Sequence, residues 1–192
     1  VPVGVSGRHV HLCKEHLEAL FGQGYELEPL RMLNQPGEFA AKETVTLVGA
    51  NKRALENVRV LGPLRSRTQV ELSKTDAVYL GINPPWRPSG HLEQAEAISL
   101  VGPKGCVYLP NGVILAQRHI HMPQETAQLW GLKDNQRVSV EALTERPLTF
   151  HDVQVRVGSN FKLEIHLDTD DANAAGLTNG SFVKVLLGGE GV

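Results

Sequence analysis

The stretches HLCKEHLEALFG (11–22), ELSKTDAVYLG (71–81), HMPQETAQLWG (121–131) and HLDTDDANAAG (166–176) decide how this chain is read. Each opens on His or Glu, continues with Leu or Met and then Cys, Ser, Pro or Asp, crosses a short helix-forming stretch and stops at Gly. In three of them Gly81, Gly131 and Gly176 fall ten positions after the opening residue, and in the first Gly22 falls eleven after. The spacing describes one unit: a strand end, a sharp turn, a helix of about two turns and a glycine able to take positive φ. Ser73 and Asp168 suit the N-cap, and Pro123 suits the first helical turn. Cys13, in the same place, reads as a capping or packing residue and not as a nucleophile.

Outward from these units, 19 Gly and 11 Pro punctuate short Val/Ile/Leu-rich segments such as TVTLVG, NVRVLG, VILAQ, RVSVEAL and FVKVLLG. The fold class expected is mostly β (α+β), built from repeated strand-turn-helix units. A chain of 192 residues with 41% hydrophobic and 21% charged residues is an ordinary globular one, neither disordered nor coiled coil. A net charge of -2, with Lys and Arg scattered, argues against nucleic acid as partner. No apolar stretch reaches membrane-span length, the first residues VPVGVSGRHV read as a strand, and two cysteines do not make a disulfide framework. A cytoplasmic, membrane-free protein is expected.

The opening residues carry the chemistry. Arg8-His9-Val10-His11 and Arg118-His119-Ile120-His121 repeat the same string 110 positions apart. With 8 His in the chain, composition alone supplies on the order of 0.02 such strings. Residues i and i+2 of a strand share a face, so His9 joins His11 and His119 joins His121. With the equivalent Glu71 and His166, six metal-ligand types result: His9, His11, Glu71, His119, His121 and His166. His16, His91 and His151 stand outside the pattern and read as structural.

Gly62-Pro63-Leu64-Arg65-Ser66-Arg67 leads into the Glu71 unit. If that segment is extended, Arg65 and Arg67 both share the parity of Glu71, and either guanidinium would suit an oxyanion near the ligands. Phosphate-cradling glycine motifs and the G-x-S-x-G elbow are missing, which excludes P-loop, dinucleotide-binding and elbow-type hydrolase readings.

The segments VSGRHVHL, QPGEFAAKETVTLVG, ENVRVLGPLRSRTQVELSKTDA, ILAQRHIHM and LEIHLDTDDANAAGL resemble those of the phosphotransacylases of propanediol-utilisation microcompartments, the phosphate propanoyltransferases, over essentially the whole chain. The resemblance implies reversible transfer of a short acyl group, propanoyl or acetyl, between coenzyme A and orthophosphate. It implies two zinc ions per chain, one on His9, His11 and Glu71 and one on His119, His121 and His166, with Arg65 holding the phosphate. It implies two small β-barrel domains capped by short helices, 9–116 and 117–192, the latter completed by the strand at 1–8. For coenzyme A, whose diphosphate favours cationic and hydroxyl contacts, Ser89 and Arg156 are the candidates. Acyl-CoA and phosphate are the expected partners, with a homodimer and residence in the microcompartment lumen as further expectations. Members often carry an N-terminal encapsulation helix, and this chain starts at its first strand. Two rival readings are a binuclear zinc hydrolase, which would need no phosphate, and a non-catalytic module whose metal sites are closed by four protein ligands.

Overall fold

The computed structural model describes residues 1–187. In chain order the elements are β1 (Val3–Ser6), β2 (His9–His11), α1 (Lys14–Phe21), β3 (Pro29–Met32), β4 (Phe39–Val48) and β5 (Ala54–Gly62). They continue as β6 (Gln69–Leu72), α2 (Lys74–Leu80), β7 (Trp86–Arg87), β8 (Glu96–Val101), β9 (Cys106–Ala116) and β10 (His119–Pro123). The last are α3 (Gln124–Trp130), β11 (Arg137–Ala142), β12 (Leu148–Gly158), β13 (Glu164–Asp168), α4 (Thr169–Ala175) and β14 (Val183–Leu186). The protein is therefore mostly strand with short helices. Among the described residues no helix is long and apolar enough to cross a membrane.

The chain divides into two compact units, Arg8–Ala116 and Val1–Gly7 together with the chain from Gln117 onward. The final residues of the expected 117–192 segment, 188–192, lie outside the described residues. In the first unit six of its eight strands close into a small barrel, β3 and β7 adding to β4 and β9; the second unit is a six-stranded sheet, and the six strands of each share one pairing scheme. In the first the order is β4-β5-β2-β6-β9, and β8 pairs with both β9 and β4, closing the path. In the second it is β11-β12-β10-β13-β1, and β14 pairs with β11 and meets β1 through the Pro2–Phe182 bridge. The amides of Val3 and Val183 seal that seam, donating to the carbonyls of Ser181 (2.8 Å) and Val1 (2.9 Å). Parallel and antiparallel neighbours match at every step: β2 is parallel to β5 and antiparallel to β6, as β10 is to β12 and β13. The strands β1 and β9, each running directly into an Arg-His-x-His string, both close the barrel that the string itself is not in.

Alternation places the cores. Val10, Leu12, Val70 and Leu72 fill the first barrel with Val45, Leu47, Val58 and Val60, and Ile120, Met122, Ile165 and Leu167 fill the second with Val140, Val153 and Val155. The intervening residues of β2, β6, β10 and β13 alternate to the other face of the wall, and these are the histidines and carboxylates together with Gln69 and Pro123.

All four helices begin where the repeat places them. Cys13, Ser73, Pro123 and Asp168 are the N-cap residues, and Gly22, Gly81, Gly131 and Gly176 the C-caps. Oγ of Ser73 accepts from the Asp76 amide (3.2 Å) and a carboxylate oxygen of Asp168 from the Asp171 amide (2.8 Å). Pro123 sits one position earlier than a first-turn residue: its ψ of 145° keeps it on the end of β10, and the helix starts at Gln124. Gly81, Gly131 and Gly176 are left-handed, whereas Gly22, after a helix one residue longer, has φ 115° and ψ 158°.

A second correspondence ties each ligand strand to its neighbour's helix. Arg8, which falls with the first unit and not with the strand at 1–7, reaches Asp76 (Nη2–Oδ1, 3.2 Å), the third residue of α2. Arg118 reaches the equivalent Asp171 of α4 through two bonds, Nε–Oδ2 at 2.6 Å and Nη2–Oδ1 at 2.9 Å, and its guanidinium lies 5.1 Å from the Phe150 ring centre. Paired charge-assisted bonds of this kind are the strong ones, although partial solvent exposure of Arg118 screens them. Arg118→Ala is expected to lower unfolding stability by about 1–3 kcal/mol in urea titration; a change below about 0.5 kcal/mol would show the pair to be idle.

Candidate metal and anion site

Register does the assembling. On the antiparallel ladder His9 stands opposite Glu71 and His11 opposite Gln69, and in the second barrel His119 stands opposite His166 and His121 opposite Glu164. Directly opposed residues have Cβ atoms about 5 Å apart, so three ligand types from two strands converge without help from any loop. The result is two clusters, His9–His11–Glu71 and His119–His121–His166, in each of which the ligand atoms lie within 4.8 Å of one another. All but His166, which is half-buried, are buried.

The polar atoms in these clusters fit a bound cation. Nδ1 of His11 and Nδ1 of His121, at equivalent positions, are buried with no hydrogen-bond partner. An unpaired buried imidazole nitrogen costs free energy unless something accepts its lone pair, and a divalent metal ion does. Other ring nitrogens are already committed: Nδ1 of His119 lies 2.9 Å from the Gln117 carbonyl oxygen, and Nε2 of His166 lies 2.8 Å from Glu164 Oε2. Such outer partners fix a ligating ring's tautomer and orientation.

The electrostatics favour the forms that bind metal. Burial, with the neighbouring His9 and Arg65 charges, pushes the His11 imidazole down to about 3, and burial beside His119 and His166 likewise pushes His121 down. Both rings are therefore neutral at pH 7. For Glu71, burial is the largest influence and opposes ionisation, but the charge and hydrogen bond of His9, with His11 and the Ser89 hydroxyl, outweigh it and hold the carboxyl well below its usual range.

Beside the first cluster a polar network reaches an arginine. The Ser89 hydroxyl donates to Glu71 Oε1 (2.8 Å) and accepts from Arg65 Nη1 (3.0 Å) and Gln69 Nε2 (2.9 Å). The Gln69 side chain also donates to Glu71 Oε1 and accepts from the Gly90 amide, pinning the 88–91 loop beside the cluster. The expectation of an extended lead-in to Glu71 does not hold. Residues 63–68 form a bend and β6 starts only at Gln69, so strand parity does not bring Arg65 or Arg67 to the site. Arg65 arrives another way, its amide donating to the Leu12 carbonyl (2.9 Å) and its guanidinium to Ser89, while Arg67 is exposed. Arg156 pairs with His121 on β12, close enough for its charge to act on that imidazole.

Of the histidines outside the pattern, His16 meets the Thr68 hydroxyl (2.8 Å) and His151 the Ser139 hydroxyl (2.8 Å). Cys13 Sγ accepts from Thr68 Oγ1 (3.4 Å) and caps nothing with its side chain. The residues that sequence reading missed are Gln69 and Glu164, each two positions before the third ligand of its cluster. The same i, i+2 rule that paired the histidines would have found them.

A family profile described as phosphate propanoyltransferase matches residues 2–178. The chain is similar to the phosphate propanoyltransferase of Lachnoclostridium phytofermentans, 54% identical over 186 residues covering 97% of this chain and 87% of that one. It is also similar to that of Thermotoga maritima, 55% identical over 185 residues (96% and 88%), and that of Clostridioides difficile, 44% identical over 186 residues (97% and 88%). Matches of this extent reach into both barrels, and the chain belongs to the phosphate propanoyltransferase family, whose members are phosphotransacylases.

Proposed function

We propose that the chain transfers a short acyl group, propanoyl or acetyl, reversibly between coenzyme A and orthophosphate, with two zinc ions bound. The observation that carries this reading is the guanidinium of Arg65 linked through Ser89 to the carboxylate of the His9–His11–Glu71 cluster. An oxyanion-binding group and a metal-ligand set thus share one hydroxyl.

His9, His11 and Glu71 would hold one ion, and His119, His121 and His166 the other. When bound, zinc supplies Lewis acidity toward developing oxyanion charge and a template for the phosphate. Arg65, permanently charged and planar, offers paired donors to phosphate oxygens and orients one toward the thioester carbonyl. Orthophosphate at neutral pH already carries anionic oxygens, so no residue need act as base. The new bond forms between a phosphate oxygen and the carbonyl carbon as the carbon–sulfur bond breaks. The sulfur leaves with that bond's electrons, and the proton brought in on phosphate leaves with the thiol. Ser89 and Gln69 keep the Glu71 carboxylate from turning. Of the two candidates for coenzyme A, Arg156 beside His121 is offered to the diphosphate, whereas the one proton of the Ser89 hydroxyl is given to Glu71.

Thiol release from propanoyl-CoA by the purified chain should require orthophosphate. Release at the same rate without phosphate would instead establish the hydrolase reading. Arg65→Ala should lower kcat/KM by roughly 100-fold, about 3 kcal/mol of lost electrostatic stabilisation, with circular dichroism unchanged; near-full activity would remove Arg65 from the reaction. Chelation should abolish turnover and zinc should restore it, and activity persisting in metal-stripped protein would exclude the metal-assisted reading.

A further inference from the structure

We propose that Glu164 serves the second cluster as its outer carboxylate, seated by Gly4, and that these two residues set how tightly His119, His121 and His166 hold a metal ion. The inference rests on reading the clusters as metal sites.

Three observations carry it. First, Glu164 Oε2 lies 2.8 Å from His166 Nε2. A carboxylate accepts and does not donate, so the ring proton is on Nε2 and the lone pair of Nδ1 is left for coordination. An imidazole so paired is a more basic and better oriented ligand. Second, Glu164 occupies a built seat. Gly4 on β1 is the register partner of His166, and a Cβ there would lie 2.9 Å from Glu164 Cδ and 3.0 Å from Oε1. Its φ is outside the left-handed region, so the backbone does not require glycine and the missing side chain matters for space alone. The matching residue of the first barrel, the partner of Glu71 on β9, is Ile114.

Third, the two barrels use this position with opposite polarity. Gln69, two residues before Glu71, donates its amide to a carboxylate ligand; Glu164, two residues before His166, accepts from an imidazole ligand. Each cluster thereby acquires one carboxylate, directly as Glu71 in the first and one hydrogen bond removed in the second. A three-histidine set thus gains a counter-charge for a divalent ion without losing an open coordination position.

The test is a zinc titration of the full chain against a chromophoric chelator. The wild type is expected to bind two zinc ions. Glu164→Gln, which preserves shape and removes charge, should weaken one of the two by roughly 10–100-fold and leave the other unchanged. Gly4→Ala should weaken the same single site by displacing the carboxylate, and the double variant should be no weaker than the weaker single one. Two zinc ions held by Glu164→Gln as tightly as by the wild type, or both sites weakened alike, would overturn this inference alone. A wild-type chain that takes up no zinc would overturn the metal reading along with it.

Discussion

The antiparallel register between each His-x-His strand and its neighbour is the constraint on which the rest depends. With His9 opposite Glu71 and His119 opposite His166, the Val, Ile, Leu and Met side chains of those four strands face a barrel core and the residues of the two clusters face away from it. A slip of one residue would exchange the two sets, moving imidazoles into the core and Val10, Val70, Ile120 and Ile165 onto the ligand face. Hydrophobic packing and site assembly therefore select the same register. The helices reinforce it, since Arg8 and Arg118 anchor the ligand strands to the first turns of α2 and α4.

Two barrels with identical pairing need not carry identical chemistry. The first places a carboxylate among its ligands and surrounds it with donors from Ser89 and Gln69, and an arginine joins the same network. The second has three imidazoles and a carboxylate standing behind one of them. The first arrangement presents a cationic fork beside its cluster, held by the Ser89 hydroxyl. One repeated scaffold thus carries different residues at a few outward-facing positions over two apolar cores.

Much of this was legible in the sequence because its determinants are local. The i, i+2 parity of a strand and the cap-to-glycine length of a short helix are written within a dozen residues, so the six residues that gather into two clusters and the four helices could be read directly. The placement of Arg65 could not. The parity argument assumed a strand at 63–68, where the chain bends, and Arg65 reaches the cluster through Ser89, 24 residues further on. Contacts between side chains far apart in sequence leave no periodic trace. Pro123 illustrates a finer limit, since the residue suits either of two adjacent positions at a helix start and only the extended ψ of β10 decides between them.

The seam of the second barrel joins Val1 to Val183 across 182 positions of chain. Contacts so distant in sequence form late and slow folding, because loop closure must precede any gain from pairing. During synthesis β1 emerges before β13 and β14, and the whole of the first barrel is made between them. The barrel of Arg8–Ala116 can complete itself in the interval, while β1 remains an unpaired edge and the wall behind His166 stays unbuilt. The second cluster is thus completed after the first, and its residues are brought to their final places only when β1 meets β13.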